Sequence, residues 1–211
     1  MLKPTCLAFD LDHTITRFVL PYRTIFTLFA DQGVPIALVE RAYERIRRDS
    51  VFTISHLVDA VVDETDVFLD VPKIHQGFET WLKNSVRLFP DAEPLIGPLP
   101  LPVAIITLGD PLYQKKKVDL SGIRFNDFLP VTEPEAKAPA MRTLLKKYGA
   151  PIAFVDDRVG ELDALRDAGL TEEDVQTFRL MRPKGKHNEE AARFSHTAII
   201  SLDPFFTRMR I

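Results

Sequence analysis

The stretch TCLAFDLDHT at residues 5–14 joins a short apolar run to two closely spaced aspartates. The run from Thr5 to Phe9 contains a β-branched residue and an aromatic one, which is typical of a buried strand. Asp10 and Asp12 follow the run with a single leucine between them. Carboxylates are rarely buried without a partner, so this pair indicates a functional site at the end of the strand.

The second half of the chain repeats the order of apolar strand, helix and glycine. Gly122, Gly149 and Gly169 each end a helical segment and precede another apolar run. This order is typical of βαβ units in a parallel sheet. The predicted strands lie at about residues 103–107, 128–131, 152–155, 175–181 and 197–202, with helices at about 111–121 and 139–148 and a third that ends at Gly169. Because the first strand joins the same sheet, the predicted fold class is α/β, a Rossmann-like parallel sheet core flanked by helices.

Residues 16–87 have a different pattern, with few strand-like runs. Apolar residues recur there at helical spacing, as in the stripe Ile74, Phe78, Trp81 and Leu82. We therefore expect an α/β hydrolase core made of residues 1–15 and 88–211, with residues 16–87 inserted after the first strand as an α-helical cap domain.

Composition narrows the classes of function. The chain has 211 residues, and 27 Lys and Arg against 30 Asp and Glu give a net charge of −3, which argues against a nucleic-acid partner. Cys6 is the single cysteine, so no intramolecular disulfide is possible and a reducing compartment is favoured. The sequence contains neither a signal-peptide pattern nor an apolar run of the ~20 residues that span a bilayer. We expect a cytoplasmic protein, with no membrane partner, that is a monomer or a homodimer.

Polar residues cluster where the predicted strands end. In an open parallel sheet, ligands bind beyond the carboxyl ends of the strands, so these side chains are expected to share one crevice. The residues concerned are Asp10, Asp12, Thr107, Lys137, Asp156 and Asp157. Four carboxylates this close stay ionised at neutral pH only with a cation among them, and oxygen ligands suit Mg²⁺ better than zinc. A hydroxyl and an ammonium are typical partners of phosphoryl oxygens.

In this order, the residues resemble the four motifs of the haloacid dehalogenase-like (HAD) hydrolase superfamily. The matching features are DLDHT at residues 10–14, Thr107 after an apolar strand, Lys137, and the pair Asp156-Asp157 after another strand. The similarity covers nearly the whole chain. It includes the helical insert, whose place after the first strand is similar to that of the cap in the phosphatase branch of the superfamily.

The resemblance implies catalytic roles for two residues and phosphate binding for three. Asp10 would be the nucleophile that forms an aspartyl phosphate. Asp12 would be the general acid for the leaving group and then the base for water. The phosphoryl group would be bound by the Thr107 hydroxyl, the backbone N–H of Leu108 and the Lys137 ammonium.

The resemblance also implies the ligands of a Mg²⁺ cofactor. These would be the carboxylates of Asp10 and Asp157, the carbonyl of Asp12, and Asp156 either directly or through water. The function so predicted is that of a Mg²⁺-dependent phosphomonoesterase, a HAD-type hydrolase (phosphatase), acting on a small phosphorylated metabolite.

Two other functions remain open. A phosphomutase would use the same two aspartates but return the phosphoryl group to its substrate, and a non-catalytic member would only bind a ligand. True haloacid dehalogenases lack an acid at the position of Asp12, because a carbon–halogen bond needs no protonated leaving group.

Two further features lie in or near the motifs, His13 and a run of three lysines. His13 stands where the superfamily often has glycine, so its backbone is expected to take an unusual angle, and its side chain contacts either the local loop or the substrate. The run Lys115-Lys116-Lys117 is interpreted as a solvated helix face.

Overall fold

The computed structural model describes residues 2–49 and 51–209, and its largest feature is a six-stranded parallel sheet. The sheet order is β5-β4-β1-β6-β7-β8, so the strand carrying the two aspartates lies between β4 and β6. Residue 1 and residues 210–211 of the predicted core lie outside the described residues. The strands are β1 Cys6–Phe9, β2 Thr16–Phe18, β3 Val86–Leu88, β4 Val103–Leu108, β5 Asp127–Val131, β6 Ile152–Asp156, β7 Val175–Leu180 and β8 Thr197–Ile199.

The sheet is apolar on both faces, which explains why its strands appear in the sequence as continuous apolar runs. In β1, Leu7 and Phe9 point into one cluster of buried side chains, and Cys6 and Ala8 point into another on the opposite face. All four side chains are fully buried. The predicted fold class, a Rossmann-like α/β core flanked by helices, is therefore confirmed.

The helices follow the start and stop signals in the sequence. Asp110 caps the first helix after β4, accepting a hydrogen bond from the Tyr113 N–H at 2.8 Å, and Gly122 ends that helix with a φ of 72°. No helix within the described ranges is long and apolar enough to cross a bilayer. The helices are α1 Thr27–Ala30, α2 Ile36–Asp49, α3 Ile54–Val62, α4 Val71–Ser85, α5 Pro111–Ser121, α6 Lys137–Tyr148, α7 Val159–Asp167 and α8 Asp203–Met209, with 3₁₀ turns at Tyr22–Phe26, Pro90–Ile96 and Pro134–Ala136.

The chain divides into two compact units. One consists of Met1–Arg17 and Leu88–Ile211, and the other is Phe18–Arg87, so the helical insert begins two residues later than the predicted 16–87. Two short strands, β2 and β3, pair at the points where the chain leaves the first unit and returns to it. That the insert acts as a cap stays a prediction.

The core of the helical unit is aromatic. The predicted stripe Ile74, Phe78, Trp81 and Leu82 on α4 is buried. The Trp81 ring stacks on Phe18 at 5.3 Å and on Phe78 at 5.8 Å between centroids. Rings of this size bury much apolar area, which stabilises a small helical unit.

The end of the chain differs from the sequence prediction. The strand predicted at 197–202 stops at Ile199, because Asp203-Pro204 begins α8, which the sequence analysis missed. The α8 residues Phe205 and Phe206 pack on β1, with the Phe205 ring 5.5 Å from that of Phe9. Proline in the first turn after an acidic residue is a recognisable helix start that could have predicted α8.

The segment that precedes β8 is held by Asp163 on α7. This buried carboxylate accepts hydrogen bonds from the N–H groups of Arg193 (3.0 Å) and Phe194 (3.1 Å), and it lies 2.9 Å from His196 Nε2. Burial alone would raise the pKa of Asp163, but the hydrogen bonds from His196, Arg193 and Phe194 outweigh it and lower the pKa. Ionised Asp163 therefore stabilises the folded chain.

We expect Asp163→Asn to lower the free energy of unfolding by roughly 1–3 kcal/mol near neutral pH, the usual cost of disturbing a buried acceptor. Because the folded-state pKa is lowered, this contribution is present above the ~3.9 of an unfolded aspartate and is lost as the pH falls below it. Urea unfolding should show the gap between variant and wild type shrinking from about pH 5 to about pH 3. Asp167→Asn is the control, since Asp167 is exposed on the same helix and pairs with the same Arg193. A constant gap across this range would contradict the assignment.

Candidate active site

Three adjacent strands bring the predicted site residues to one edge of the sheet. β1 is followed by Asp10, its neighbour β6 ends at Asp156, and its other neighbour β4 contains Thr107 near its end. The register pairs Phe9 with Ile105 and with Val155, so the polar residues that follow lie at the same level. The carboxyl ends of these strands therefore place Asp10, Thr107 and Asp156 at one edge of the sheet, where ligands bind in open parallel sheets.

A tight turn after β1 aims the two aspartates. The N–H of Asp10 donates to Val155 O at 2.9 Å, and the N–H groups of Ile15 and Thr16 donate back to Leu11 O. His13 lies at the head of this turn with a φ of 63°. The expected unusual backbone angle is thus observed, and its cost is modest because histidine visits this region more readily than most residues.

The ammonium of Lys137 lies at the centre of three carboxylates. Its Nζ is 2.9 Å from Asp10 Oδ1 and 2.7 Å from Asp156 Oδ2, and it also pairs with Glu161. The side chain is fully buried, and burial alone would lower the pKa of Lys137, but these three carboxylates raise it well above its usual value. Lys137 is therefore held in its charged form.

The contacts of Lys137 also show which cation lies among the three carboxylates. Oxygens of Asp10, Asp156 and Glu161 lie within 4.8 Å of one another, a spacing that would suit a metal ion. Because the Lys137 ammonium contacts all three carboxylates, the lysine takes the place that a metal ion would have among them. Asp156 uses both oxygens for protein donors, with Oδ1 accepting from the Arg158 N–H at 2.9 Å. Of the two predicted contacts with a metal, direct or through water, this geometry favours the one through water.

Asp157, the residue after β6, contacts the turn after β1 through Thr14. The Thr14 hydroxyl lies 3.3 Å from Asp157 Oδ1 and accepts from the Asp157 N–H at 3.2 Å, which fixes this carboxylate against the turn after β1. Burial first, and then the charge of Asp10, raise the pKa of Asp157 to about 7. Burial likewise raises the pKa of Asp10 to about 6 against the attraction of Lys137. For both carboxylates, burial is the largest cause of the raised pKa.

The charges of the site fit a divalent cation. Five carboxylates meet three cationic side chains, which leaves two negative charges when every group is ionised. The carboxylates with raised pKa values, Asp10 and Asp157, offer oxygens, the hard ligands that Mg²⁺ prefers. The groups counted are Asp10, Asp12, Asp156, Asp157 and Glu161 against Lys117, Lys137 and Arg158.

The hydroxyl of Thr107 is available for a ligand. The residue is fully buried, and its Oγ1 has no hydrogen-bond partner among the described residues. A buried hydroxyl without a partner costs free energy, so its retention at the end of β4 points to a group that it binds during function. The next residue, Leu108, ends β4, one residue beyond the predicted end at Thr107.

The second aspartate has partners that the sequence analysis missed. Asp12 Oδ2 accepts a hydrogen bond from Gln114 Nε2 at 3.3 Å and pairs with the ammonium of Lys117. The interpretation of Lys117 as solvated is wrong, because its side chain is 2% exposed. Lys115, in contrast, is exposed and pairs with Asp119 along the helix.

Helical phase could have shown that Gln114 and Lys117 lie on the buried face of α5. Gln114, Lys117 and Val118 lie at positions i, i+3 and i+4 of α5, and all three are buried. The apolar Val118 marks the inward face and therefore places Lys117 on it. Glu161, also missed, lies four residues after Asp157 on the first turn of α7 and faces Lys137.

Several solved structures are similar in fold to this chain. No family model and no curated protein matches the sequence. A candidate HAD hydrolase, YfnB of Bacillus subtilis, bound to magnesium in its crystal structure, matches over 100% of both chains at 18% identity with a TM-score of 0.61. The defluorinating L-2-haloacid dehalogenase Rha0230 matches over 99% of this chain and 96% of its own at 14% identity, with a TM-score of 0.65. A candidate β-phosphoglucomutase from Thermotoga maritima matches over 97% and 98% at 12% identity, with a TM-score of 0.66.

The chain therefore has the fold of the haloacid dehalogenase-like hydrolases. The sequence predicted this fold from four short motifs, and the comparison confirms it. The matched structures include a dehalogenase and a candidate mutase, so the reaction has to be argued from the residues of this site.

Proposed function

We propose that this protein is a Mg²⁺-dependent phosphomonoesterase that hydrolyses a small phosphorylated metabolite through an aspartyl phosphate on Asp10. The observation that carries the proposal is the second carboxylate, Asp12, fixed beside Asp10 with its Oδ1 buried and without a partner among the described residues. An acid at this place serves a leaving group that needs a proton, such as the alcohol of a phosphate monoester. The unpaired Thr107 hydroxyl supports a phosphoryl ligand.

The first half-reaction transfers the phosphoryl group to the protein. An oxygen of Asp10 attacks phosphorus as the bond to the ester oxygen breaks, and the departing alkoxide takes a proton from Asp12. Lys137 and the Thr107 hydroxyl offset the charge on the phosphoryl oxygens. This step needs little more than positioning and neutralisation of charge, which Lys137, the Thr107 hydroxyl and the bound Mg²⁺ would supply together.

The second half-reaction regenerates the carboxylate. Asp12, now ionised, takes a proton from water, and the water oxygen attacks phosphorus as the bond to Asp10 breaks. The products are the alcohol and inorganic phosphate, so one water is consumed in each cycle. Mg²⁺, held by Asp10, Asp157 and the Asp12 carbonyl, with Asp156 beside it, would neutralise charge on the phosphoryl group.

A phosphomutase is the second candidate, favoured by the similarity of the chain to the candidate β-phosphoglucomutase. It would need the same two aspartates, but the phosphoryl group would return from Asp10 to the substrate. Such an enzyme releases little inorganic phosphate and responds to a bisphosphate activator, so phosphate release separates the two functions.

The proposal is tested by measuring phosphate release from sugar phosphates, nucleoside monophosphates, phosphorylated small acids and 4-nitrophenyl phosphate. We expect turnover of at least one alkyl phosphate and of the aryl phosphate, with stoichiometric phosphate. Isomerised substrate without net phosphate release would instead establish the mutase. Binding without turnover across the whole panel would leave the non-catalytic function.

Activity should require Mg²⁺. In excess chelator we expect turnover to fall to background and to return when Mg²⁺ is added, because the site retains two uncompensated negative charges when all its groups are ionised. Ca²⁺ should bind without supporting turnover and should inhibit in competition with Mg²⁺, since its larger and looser coordination misplaces Asp10. Steady-state rates in metal-free buffer measure both effects. Undiminished activity in chelator would contradict the metal assignment.

A further inference from the structure

Helix α5 presents two polar side chains to Asp12 from its buried face. Lys117 is 2% exposed and pairs with Asp12 Oδ2, and Gln114 Nε2 donates to the same oxygen at 3.3 Å. The Lys117 ammonium also lies 4.6 Å from the centre of the Tyr113 ring, which stabilises it in this position. A lysine buried this deeply loses most of its hydration, so its contact with Asp12 is an expensive one for the fold to retain.

The two carboxylate oxygens of Asp12 therefore differ in their hydrogen-bond partners. Oδ2 receives both donors, whereas Oδ1 is buried and has no partner among the described residues. We propose that Lys117 and Gln114 are positioning residues, which hold Asp12 by Oδ2 so that Oδ1 is the oxygen that gives and takes the proton. This inference rests on the proposed phosphatase function and assigns it two further residues.

Gln114 also ties Asp12 to the phosphate-binding turn. Its Nε2 donates to Leu108 O at 2.5 Å, immediately after Thr107. The same peptide is held from its other side, because the Gly109 N–H donates to Val131 O at 2.8 Å. One side chain therefore sets the distance between the proton-transferring carboxylate and the end of β4.

Gly109 makes this contact possible. A Cβ at this position would lie 2.3 Å from Gln114 Nε2, and the glycine has a φ of +150°. A side chain there would push the amide away from both Leu108 and Asp12. Gly109, which follows the phosphate-binding residues, therefore leaves room for the Gln114 amide and also permits the backbone angle of the turn.

The test compares Lys117→Met, which keeps the length and removes the ammonium, with Lys115→Met, an exposed lysine on the same helix. We expect Lys117→Met to lower kcat for an alkyl phosphate by roughly 10²-fold, the cost of a small misplacement of a reacting group. The change in KM should be small, and turnover of 4-nitrophenyl phosphate should fall less than that of the alkyl phosphate. Lys115→Met should match the wild type on both substrates, and Lys117→Arg should recover part of the loss.

The decisive comparison introduces Lys117→Met into Asp12→Asn. If Lys117 acts through Asp12, the double variant should be no slower than Asp12→Asn alone. If Lys117→Met lowers kcat equally in the wild type and in Asp12→Asn, the positioning role is wrong. The same holds if it lowers kcat equally on alkyl and aryl substrates. Either result would leave the proposed phosphatase function standing. Absence of phosphate release by the wild type would overturn the proposed function and this inference with it.

A second variant guards against misfolding of Lys117→Met. Gln114→Met removes the amide at similar length, and we expect a loss of about tenfold in kcat on alkyl phosphates, smaller because it removes a neutral donor rather than a charged one. Its loss should likewise disappear in the Asp12→Asn background. If Gln114→Met still lowers kcat in the Asp12→Asn background, the role of Gln114 is wrong. The thermal midpoints of all variants identify any that fail to fold.

Discussion

Asp10→Asn is expected to reduce phosphate release to background, a loss of roughly 10⁶-fold of the kind that follows removal of a catalytic nucleophile. The amide cannot attack phosphorus, so no phosphorylated protein should form. The carbonyl oxygen of asparagine can still accept the hydrogen bond that Lys137 donates to Asp10 Oδ1 at 2.9 Å, so the surroundings should be retained. Turnover of an aryl phosphate and incorporation of label from a phosphoryl donor measure the two effects.

Stability provides the control for this variant. Burial raises the pKa of Asp10 to about 6, so the ionised carboxylate destabilises the folded chain as the pH rises through that value. In chelator near pH ~7.5, Asp10→Asn should therefore melt at the same temperature as the wild type or higher, although it is inactive. Asp119→Asn, an exposed aspartate on α5, should keep full activity. Label on the Asp10 variant would show that another residue is the nucleophile.

Asp12→Asn is expected to lower turnover of alkyl phosphates by roughly 10²–10⁴-fold, the usual contribution of general acid–base catalysis. An alkoxide leaves poorly without a proton, whereas a nitrophenolate leaves unaided. With an activated aryl phosphate, the first step should suffer less than the second, in which Asp12 takes a proton from water. Phosphoenzyme should then accumulate on Asp10, and rapid-quench labelling measures its formation and decay.

The pattern across the two variants identifies the roles. Label should stay on the Asp12 variant and be absent from the Asp10 variant. Hydrolysis of alkyl phosphates by Asp12→Asn at the wild-type rate would show that another group supplies the proton. Equal damage to alkyl and aryl substrates would point instead to a binding role for Asp12.

The α/β core could be predicted because each of its signals is local. A buried strand such as β1 needs an unbroken apolar run, and a glycine such as Gly122 is required where a helix ends in the left-handed region. Parallel strands then place their carboxyl ends together, so Asp10, Thr107 and Asp156 could be assigned to one crevice without coordinates. The helix α8 was missed although its start signal is local, because the preceding apolar residues were assigned to a longer strand.

The partners of the site residues depended on tertiary structure. Lys137 was predicted to share one crevice with Asp10, but only the packed chain shows that it pairs with Asp10, Asp156 and Glu161. Lys117 lies in a run of three lysines that have the same local sequence character. Which of the three lysines is buried depends on which face of α5 lies against the turn after β1.

The sequence by itself therefore determined the fold class, the presence of the strands that carry the motifs and the chemistry of the motif residues. These properties follow from periodicity, capping and side-chain type, which are encoded within a few neighbouring residues. Only the tertiary structure decided which charges are paired, as with Asp12 and Lys117, and which polar atoms are left for a ligand, as with Thr107 Oγ1. Lys117 and Asp12 are 105 positions apart in the chain, and no local pattern records that these two residues pair.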